Sequence, residues 1–161
     1  MEVWDAYDAQ FQKVKDKTLI RGERIPDGLF HLVCDILVKH VDGTYLLMQR
    51  DLRKHFGGMW EATAGGSALL GETPLACAKR ELREETGIVA DDLAEVGRVV
   101  DPHTHSIYVE FFCLTDWDKS KITLQEGETI AHKWVSRDAL LNMRNDQLLT
   151  KRTLQFISEL K

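Results

Sequence analysis

The apolar and polar positions of the chain change period several times. Leu29 to His40 is a long β-type run rich in Leu, Val and Ile, and Asp42-Gly43 turns it into a second run, Tyr45 to Arg50, so the two are expected to pair as a hairpin. Ahead of them, Glu2 to Tyr7 and about Lys17 to Arg21 read as short strands around a polar turn, closed by the breaker Ile25-Pro26-Asp27-Gly28. Residues 1–28 are therefore read as an N-terminal hairpin extension. Further strands are expected at Glu61 to Gly65, Leu93 to Val100, Ser106 to Thr115 and His132 to Val135. Between them the period becomes helical. Thr73 can cap the first amides, Pro74 suits a first helical position, Leu75, Ala78 and Leu82 recur at three- and four-residue spacing, and Gly87 supplies a left-handed stop. A helix from about Thr73 to Thr86 follows. Ser136 caps a short helix through about Met143, and Asp146 opens an amphipathic one through Leu160. Strands interleaved with two main helices predict an α/β fold, a three-layer α/β/α sandwich around a mixed β-sheet, formed as a single domain over residues 1–161.

The first of these helices carries an unusual charge pattern. Glu81, Glu84 and Glu85 are related by i, i+3 and i, i+4, which projects three carboxylates from one face. Like charges so placed repel by a few tenths of a kcal/mol each, and by more when partly desolvated. One reading is a solvated face paired with Lys79, Arg80 and Arg83, the usual fate of charge runs. The other is a cation site, for which clustered hard oxygen ligands without Cys or His in the helix favour Mg²⁺, with Mn²⁺ as a substitute, over zinc.

The wider spacing separates these readings. From Gly66 to Ile88 the chain places a glycine, five spacers, Glu72, seven spacers, Arg80-Glu81-Leu82, one spacer, Glu84-Glu85, one spacer, then Gly87-Ile88. Seven fixed and two aliphatic positions coincide by chance in well under about one in a hundred million windows. This segment matches the Nudix box, and the chain is identified as resembling the Nudix hydrolase superfamily. The resemblance implies the Nudix-type sandwich, Glu81, Glu84 and Glu85 as metal ligands with the Gly65 carbonyl as a further one, and Arg80 with Glu72 as the residues that orient those carboxylates. It also implies hydrolysis of a phosphoanhydride, with Glu84 or Glu85 as one source of the general base. Phe56 to Glu72 and Arg21 to Leu32 are similar to the branch containing isopentenyl diphosphate isomerase. That branch carries a catalytic cysteine and a metal-binding histidine before the box, where this chain has Gly65 and Ser67, and two glutamates on a later strand, where it has His105 and Ile107. Isomerase chemistry is accordingly not expected.

A loop acid is the other source of the base. Glu126 and Glu128 lie in the acidic segment Gln125 to Thr129, and Glu128, nearer the following strand, is the preferred candidate. For substrate binding, Arg50 and Arg53, with Lys54, sit at a strand end and its loop and could reach phosphate. Trp60, like Phe56, Tyr108 and Trp134, could stack on a base or simply fill a core. His103 and His105, being i and i+2, are expected on one strand face.

Composition narrows the partners. The 161 residues are 43% hydrophobic, enough for one core. A net charge of −5 argues against a broad nucleic-acid surface. The expected partner is a small-molecule nucleotide or diphosphate substrate, with a second copy in a homodimer carried as an option. Cys34, Cys77 and Cys113 have no metal-ligand spacing and read as buried free thiols, which suits a reducing cytosol. The N-terminal segment lacks an apolar core, and no stretch approaches about 18 consecutive apolar residues, so the expected location is cytoplasmic, away from membranes. Two functions remain from different classes: a metal-dependent hydrolase of a nucleoside diphosphate linked to another moiety, and a non-catalytic nucleotide-binding or regulatory module. An intact carboxylate cluster favours the first, because a sensor gains nothing from keeping like charges together.

Overall fold

The computed structural model describes residues 1–144, 146–148 and 152–159. β1 (Val3–Tyr7) and β2 (Lys13–Ile20) pair antiparallel in a sheet of their own, and Trp4, Ala6 and Leu19 bury a small core between them and the following loop. β2 starts earlier than its sequence suggests, although most of its side chains are polar, because backbone pairing with β1 extends to Lys13 opposite Tyr7.

The central strand is β3 (His31–His40). Leu32, Cys34, Ile36 and Val38 enter one buried cluster and Leu37 enters another, as the two-residue period of a strand between two layers requires. β4 (Tyr45–Arg50) follows through the Asp42-Gly43 turn, with Gly43 at φ 95°. The β3–β4 ladder is confined to the Lys39–Tyr45 pair. Beyond it the strands part: β5 (Trp60–Glu61) pairs with β4, and β6 (Thr63–Ser67) pairs with β3. The single strand expected at 61–65 is thus two, because the chain crosses from one partner to the other at Ala62. This split in the sheet is where the site lies.

α1 (Pro74–Thr86) packs on β6 and β3, placing Cys77, Ala78 and Leu82 in the first core cluster. β7 (Ala94–Asp101) and β8 (Ser106–Thr115) complete one flank, with β8 parallel to β3 and antiparallel to β7. β9 (Thr129–Val135) runs antiparallel to β4 on the other. α2 (Arg137–Leu141) and α3 (Leu154–Glu159) cover the opposite face, where Leu140, Leu148 and Ile157 bury against Leu37, Tyr45 and Leu47. The result is the expected mixed sheet between helical layers.

Two further expectations change. Leu75 is 42% exposed rather than part of the buried stripe, since it heads the i, i+4 row that continues into Lys79 and Arg83. The helix expected from Asp146 does not begin there. Asp146 and Gln147 form a turn, the Gln147 carbonyl accepts the Trp60 N–H at 2.8 Å, and Leu148 bridges to Trp60, so this backbone is drawn to the sheet edge. Residues 149–151 and 160 of that expected helix lie outside the described residues.

Candidate active site

The start and end of α1 follow its sequence. Thr73 accepts the Ala76 N–H at 3.2 Å, and Gly87 ends the helix at φ 80° with its N–H on the Arg83 carbonyl. Between these caps, Cys77, Glu81 and Glu85 form one i, i+4, i+8 row beside the buried row Ala78, Leu82 and Thr86. Glu81 and Glu85 are therefore pressed toward β6 and not turned to bulk water. Burial pushes Glu85 up to about 8, only partly opposed by the Gly65 N–H, which donates to its Oε2 at 3.0 Å. Glu81 is also raised, by burial first, with Arg80 opposing.

Two glycines allow this approach. A Cβ on Gly65 would stand 2.1 Å from the Cys34 carbonyl oxygen, and one on Gly66 would stand 2.5 Å from Glu81 Oε1. Backbone of β6 and carboxylates of α1 thus meet with no side chain between them.

Arg80 binds the cluster together. Its Nε and Nη2 donate to the two oxygens of Glu72, each at 2.9 Å, and Nη1 donates to Glu81 at 2.6 Å and to Glu84 at 3.2 Å. Nη2 also reaches the Ser67 carbonyl at 3.1 Å. Those bonds to Glu72 and Glu81 hold the guanidinium firmly protonated, and although burial works against Glu72, Arg80 holds that carboxyl below its ordinary value. The arrangement suits a residue that positions carboxylates.

A polar cavity of about 330 Å³ opens above this helix. Glu81, Glu84, Glu85, Arg80 and Gly65 line it together with Arg50, Lys54 and Glu128, so strands and loops far apart in sequence converge there. Arg50 donates to Glu61 at 2.8 Å and to the His55 carbonyl at 3.0 Å. Lys54 is hydrogen-bonded to Glu128. The 125–128 segment is a tight turn and not an extended loop: Glu128 and Thr129 donate to the Gln125 carbonyl at 3.1 Å, and Gly127 takes φ 82°. That turn aims Glu128 into the cavity and leaves Glu126 exposed.

Other residues singled out from the sequence lie elsewhere. Arg53 folds back on Asp51, with Nε and Nη2 at 2.9 and 2.8 Å from its carboxylate, and does not line the cavity. Trp60 packs against the second core cluster under the Lys133 ammonium, 4.2 Å from its ring centre. Phe56 lies against His55, Tyr108 under Arg152, and Trp134 beside the first core. Among the described residues no aromatic ring lines the cavity. His103 and His105 sit in the turn between β7 and β8 and not on a strand face, and His105 adopts φ 51° with its ring nitrogen 3.2 Å from the Leu29 carbonyl.

Asp35 and Glu61, which no motif in the sequence marks, also line the cavity. Asp35 had a signal: it is the lone acid within the apolar run LVCDILV. It faces Glu110, its register partner on β8 and another lone acid in an apolar strand, and Arg152 bridges the two. Burial raises both carboxyls, Glu110 to about 7.

Among the described residues, no three Asp, Glu, His or Cys side chains stand ready as a metal cage, since Glu81 and Glu84 face Arg80 and Glu85 faces Gly65. The donor chemistry nevertheless fits a hard divalent ion: crowded carboxylates, two of them destabilised as anions, beside a glycine strand that leaves room for them. Such a fold and cavity define an α/β/α protein with a carboxylate-bearing helix facing a split sheet.

The NUDIX domain family matches residues 29–157, and the chain belongs to it. It is a Nudix pyrophosphohydrolase. An uncharacterized Nudix hydrolase of Listeria monocytogenes is 32% identical over 147 residues, covering 90% of this chain and 86% of that one. An 8-oxo-dGTP diphosphatase of Proteus vulgaris is 36% identical over 98 residues, 60% of this chain and 80% of its own. A NAD-capped RNA hydrolase of Haemophilus influenzae is 27% identical across 79% of this chain, which spans 48% of that relative. The solved structure of DR0079 from Deinococcus radiodurans superposes with a TM-score of 0.76, covering 98% of each chain at 17% identity, a likeness of fold. Cys34, Cys77 and Cys113 are buried free thiols, and among the described residues no helix is long and apolar enough to cross a membrane.

Proposed function

We propose that the protein hydrolyses a phosphoanhydride bond in a nucleoside diphosphate linked to another moiety, with Mg²⁺, or Mn²⁺ in its place, held by Glu81, Glu84 and Glu85 and the Gly65 carbonyl. The observation that carries this reading is the convergence of the α1 carboxylates and the Lys54–Glu128 pair on one cavity. The bound cation supplies neutralisation of charge on the pyrophosphate oxygens and a lowered pKa for bound water. The chain supplies the rest. Arg80 and Glu72 hold the carboxylates in register. Glu128 accepts a proton from the attacking water as its oxygen bonds to phosphorus, while the bond to the bridging oxygen breaks and the leaving phosphate departs with that electron pair; Lys54 keeps the carboxylate aimed into the cavity. Arg50 stands on the wall as a donor to phosphate once Glu61 releases it.

Two relatives are named for nucleotide chemistry, an 8-oxo-dGTP diphosphatase and a NAD-capped RNA hydrolase, which supports a nucleotide derivative as substrate. Hydrolysis is favoured over the isomerase chemistry of the branch this chain resembles because Gly65 stands where that branch has its cysteine, and Cys34, Cys77 and Cys113 are buried and do not line the cavity. A screen of nucleoside triphosphates, dinucleotide cofactors, nucleotide sugars and capped RNA with Mg²⁺ or Mn²⁺, identifying the phosphate products, tests this. Release of a nucleoside monophosphate or pyrophosphate supports the proposal, and no turnover on any member contradicts it.

A further inference from the structure

The N-terminal hairpin precedes the span matched by the NUDIX family, residues 29–157, yet it reaches the cavity, where Glu2 and Arg21 form part of the wall. Backbone bonds fix its seat. The Val3 carbonyl accepts the Leu70 N–H at 2.9 Å, Asp5 accepts the Gly71 N–H at 2.7 Å, and Tyr7 and Phe30 exchange a pair of bonds at 2.9 Å. The hairpin is thus tied to the loop that leads into α1. Arg21 donates its own N–H to the Glu2 carbonyl at 3.0 Å, beside Gly22 at φ 89°, so the guanidinium projects from a defined point. Glu2 is steadied in turn by Trp4, whose Nε1 donates to it at 2.7 Å.

Among the described residues four cations line the cavity, and three are held in less exposed ion pairs than the fourth. Arg80 serves Glu72, Glu81 and Glu84, Arg50 serves Glu61 and a carbonyl, and Lys54 serves Glu128, with side-chain exposures of 20%, 16% and 30%. Arg21 differs: its side chain is 67% exposed and its one ion pair is Nη1 to Glu2 at 3.1 Å. Such an exposed pair is weak and exchangeable. A planar guanidinium with donors to spare matches a phosphate oxygen pair. Among the described lining residues no aromatic ring offers a base a stacking platform, so charge is what the cavity wall has to recognise a substrate with.

We propose that Arg21 is a specificity residue that exchanges Glu2 for a phosphate of the substrate, selecting substrates that carry further negative charge in the cavity. The assignment rests on the hydrolase reading above but is tested separately, by calorimetric titration of inorganic tripolyphosphate with Mg²⁺ and by KM on the best substrate of the screen. Arg21→Gln should weaken tripolyphosphate binding about tenfold, as loss of a charge-assisted bond does, and Arg21→Lys should recover part of it. Glu2→Gln, which frees Arg21, should tighten binding. A merely structural bridge predicts the same sign for both variants, so parallel weakening overturns the proposal, as does no change in either variant or no binding by the parent. Thermal melts of each variant confirm that the hairpin stays folded. Opposite shifts without any turnover would refute the hydrolase reading and leave Arg21 as an anion-binding residue; turnover with no shift in either variant refutes Arg21 alone.

Discussion

Gly65 donates its backbone N–H to Glu85 at 3.0 Å, and Glu85 lies in the same helical row as the fully buried Cys77. The carboxylate is thus held against the β6 backbone at the cavity floor, and burial there, with one backbone donor to compensate it, is why its proton is held up to about 8.

A pH dependence follows from that shift. With the folded value near 8 and the ordinary one at 4.5, the unfolded chain loses this proton first, so the metal-free protein loses stability as pH rises from about 4.5 to 8. Glu85→Gln removes this loss. Its metal-free Tm should exceed the parent's by about 3 °C or more at pH 8 and match it near pH 4.5. Because ligation needs the carboxylate, Mg²⁺ or Mn²⁺ affinity should tighten by up to about tenfold per pH unit below 8 and flatten above it. Melts in chelator and calorimetry across pH 5–9 check both.

The two glycines of β6 should behave differently. At Gly65 an added Cβ meets backbone, the Cys34 carbonyl, and Gly65→Ala should destabilise by about 1–3 kcal/mol. At Gly66 it meets the end of the Glu81 side chain, which can swing aside. Gly66→Ala should therefore keep its Tm within a few degrees while lowering kcat. Denaturant unfolding beside steady-state kinetics separates the two outcomes.

Arg80 and Glu72 should act as one unit, being joined by two parallel hydrogen bonds. Alanine at either position should lower both Tm and kcat, and the double variant should be little worse than the worse single one, with a coupling of about 0.5–3 kcal/mol. Additive losses in the double-mutant cycle would show that Arg80 orients the carboxylates without Glu72.

The source of the base can be decided by two single substitutions. Glu128→Gln should lower kcat by about 10²- to 10⁴-fold with little change in metal affinity, whereas Glu126→Gln, at an exposed side chain, should leave kcat near the parent value. Near-parental kcat in Glu128→Gln returns the role to Glu84 or Glu85.

What could be read from the sequence was what local spacing determines. The caps at Thr73 and Gly87, the mixed strand and helix periods, and the placing of Glu81, Glu84 and Glu85 on one helical face all depend on neighbours within a few residues. Leu75 lies outside the buried stripe because periodicity gives a row but not which row meets the sheet. The division of 61–65 into β5 and β6 depends on a change of partner strand that no local pattern records. Asp35 and Glu61 reach the cavity through that same division, and Arg21 reaches it because Val3 and Asp5 of its hairpin are bonded to Leu70 and Gly71, the second bond spanning 66 positions along the chain. Trp60 and Arg53 had the right chemistry for substrate, but strand pairing turns one into the second core and Asp51 engages the other.

The central claim is that the α1 carboxylates carry metal-dependent phosphoanhydride hydrolysis. Its most direct test is turnover of the best substrate by the parent and by the Glu81→Gln, Glu84→Gln, Glu85→Gln triple variant, under saturating Mg²⁺ or Mn²⁺ and again in chelator. The parent should turn over only with the ion, and the triple variant, folded and in chelator thermally no weaker than the parent, should be inactive in both conditions. Equal activity of variant and parent, or parent turnover that survives the chelator, would contradict the account.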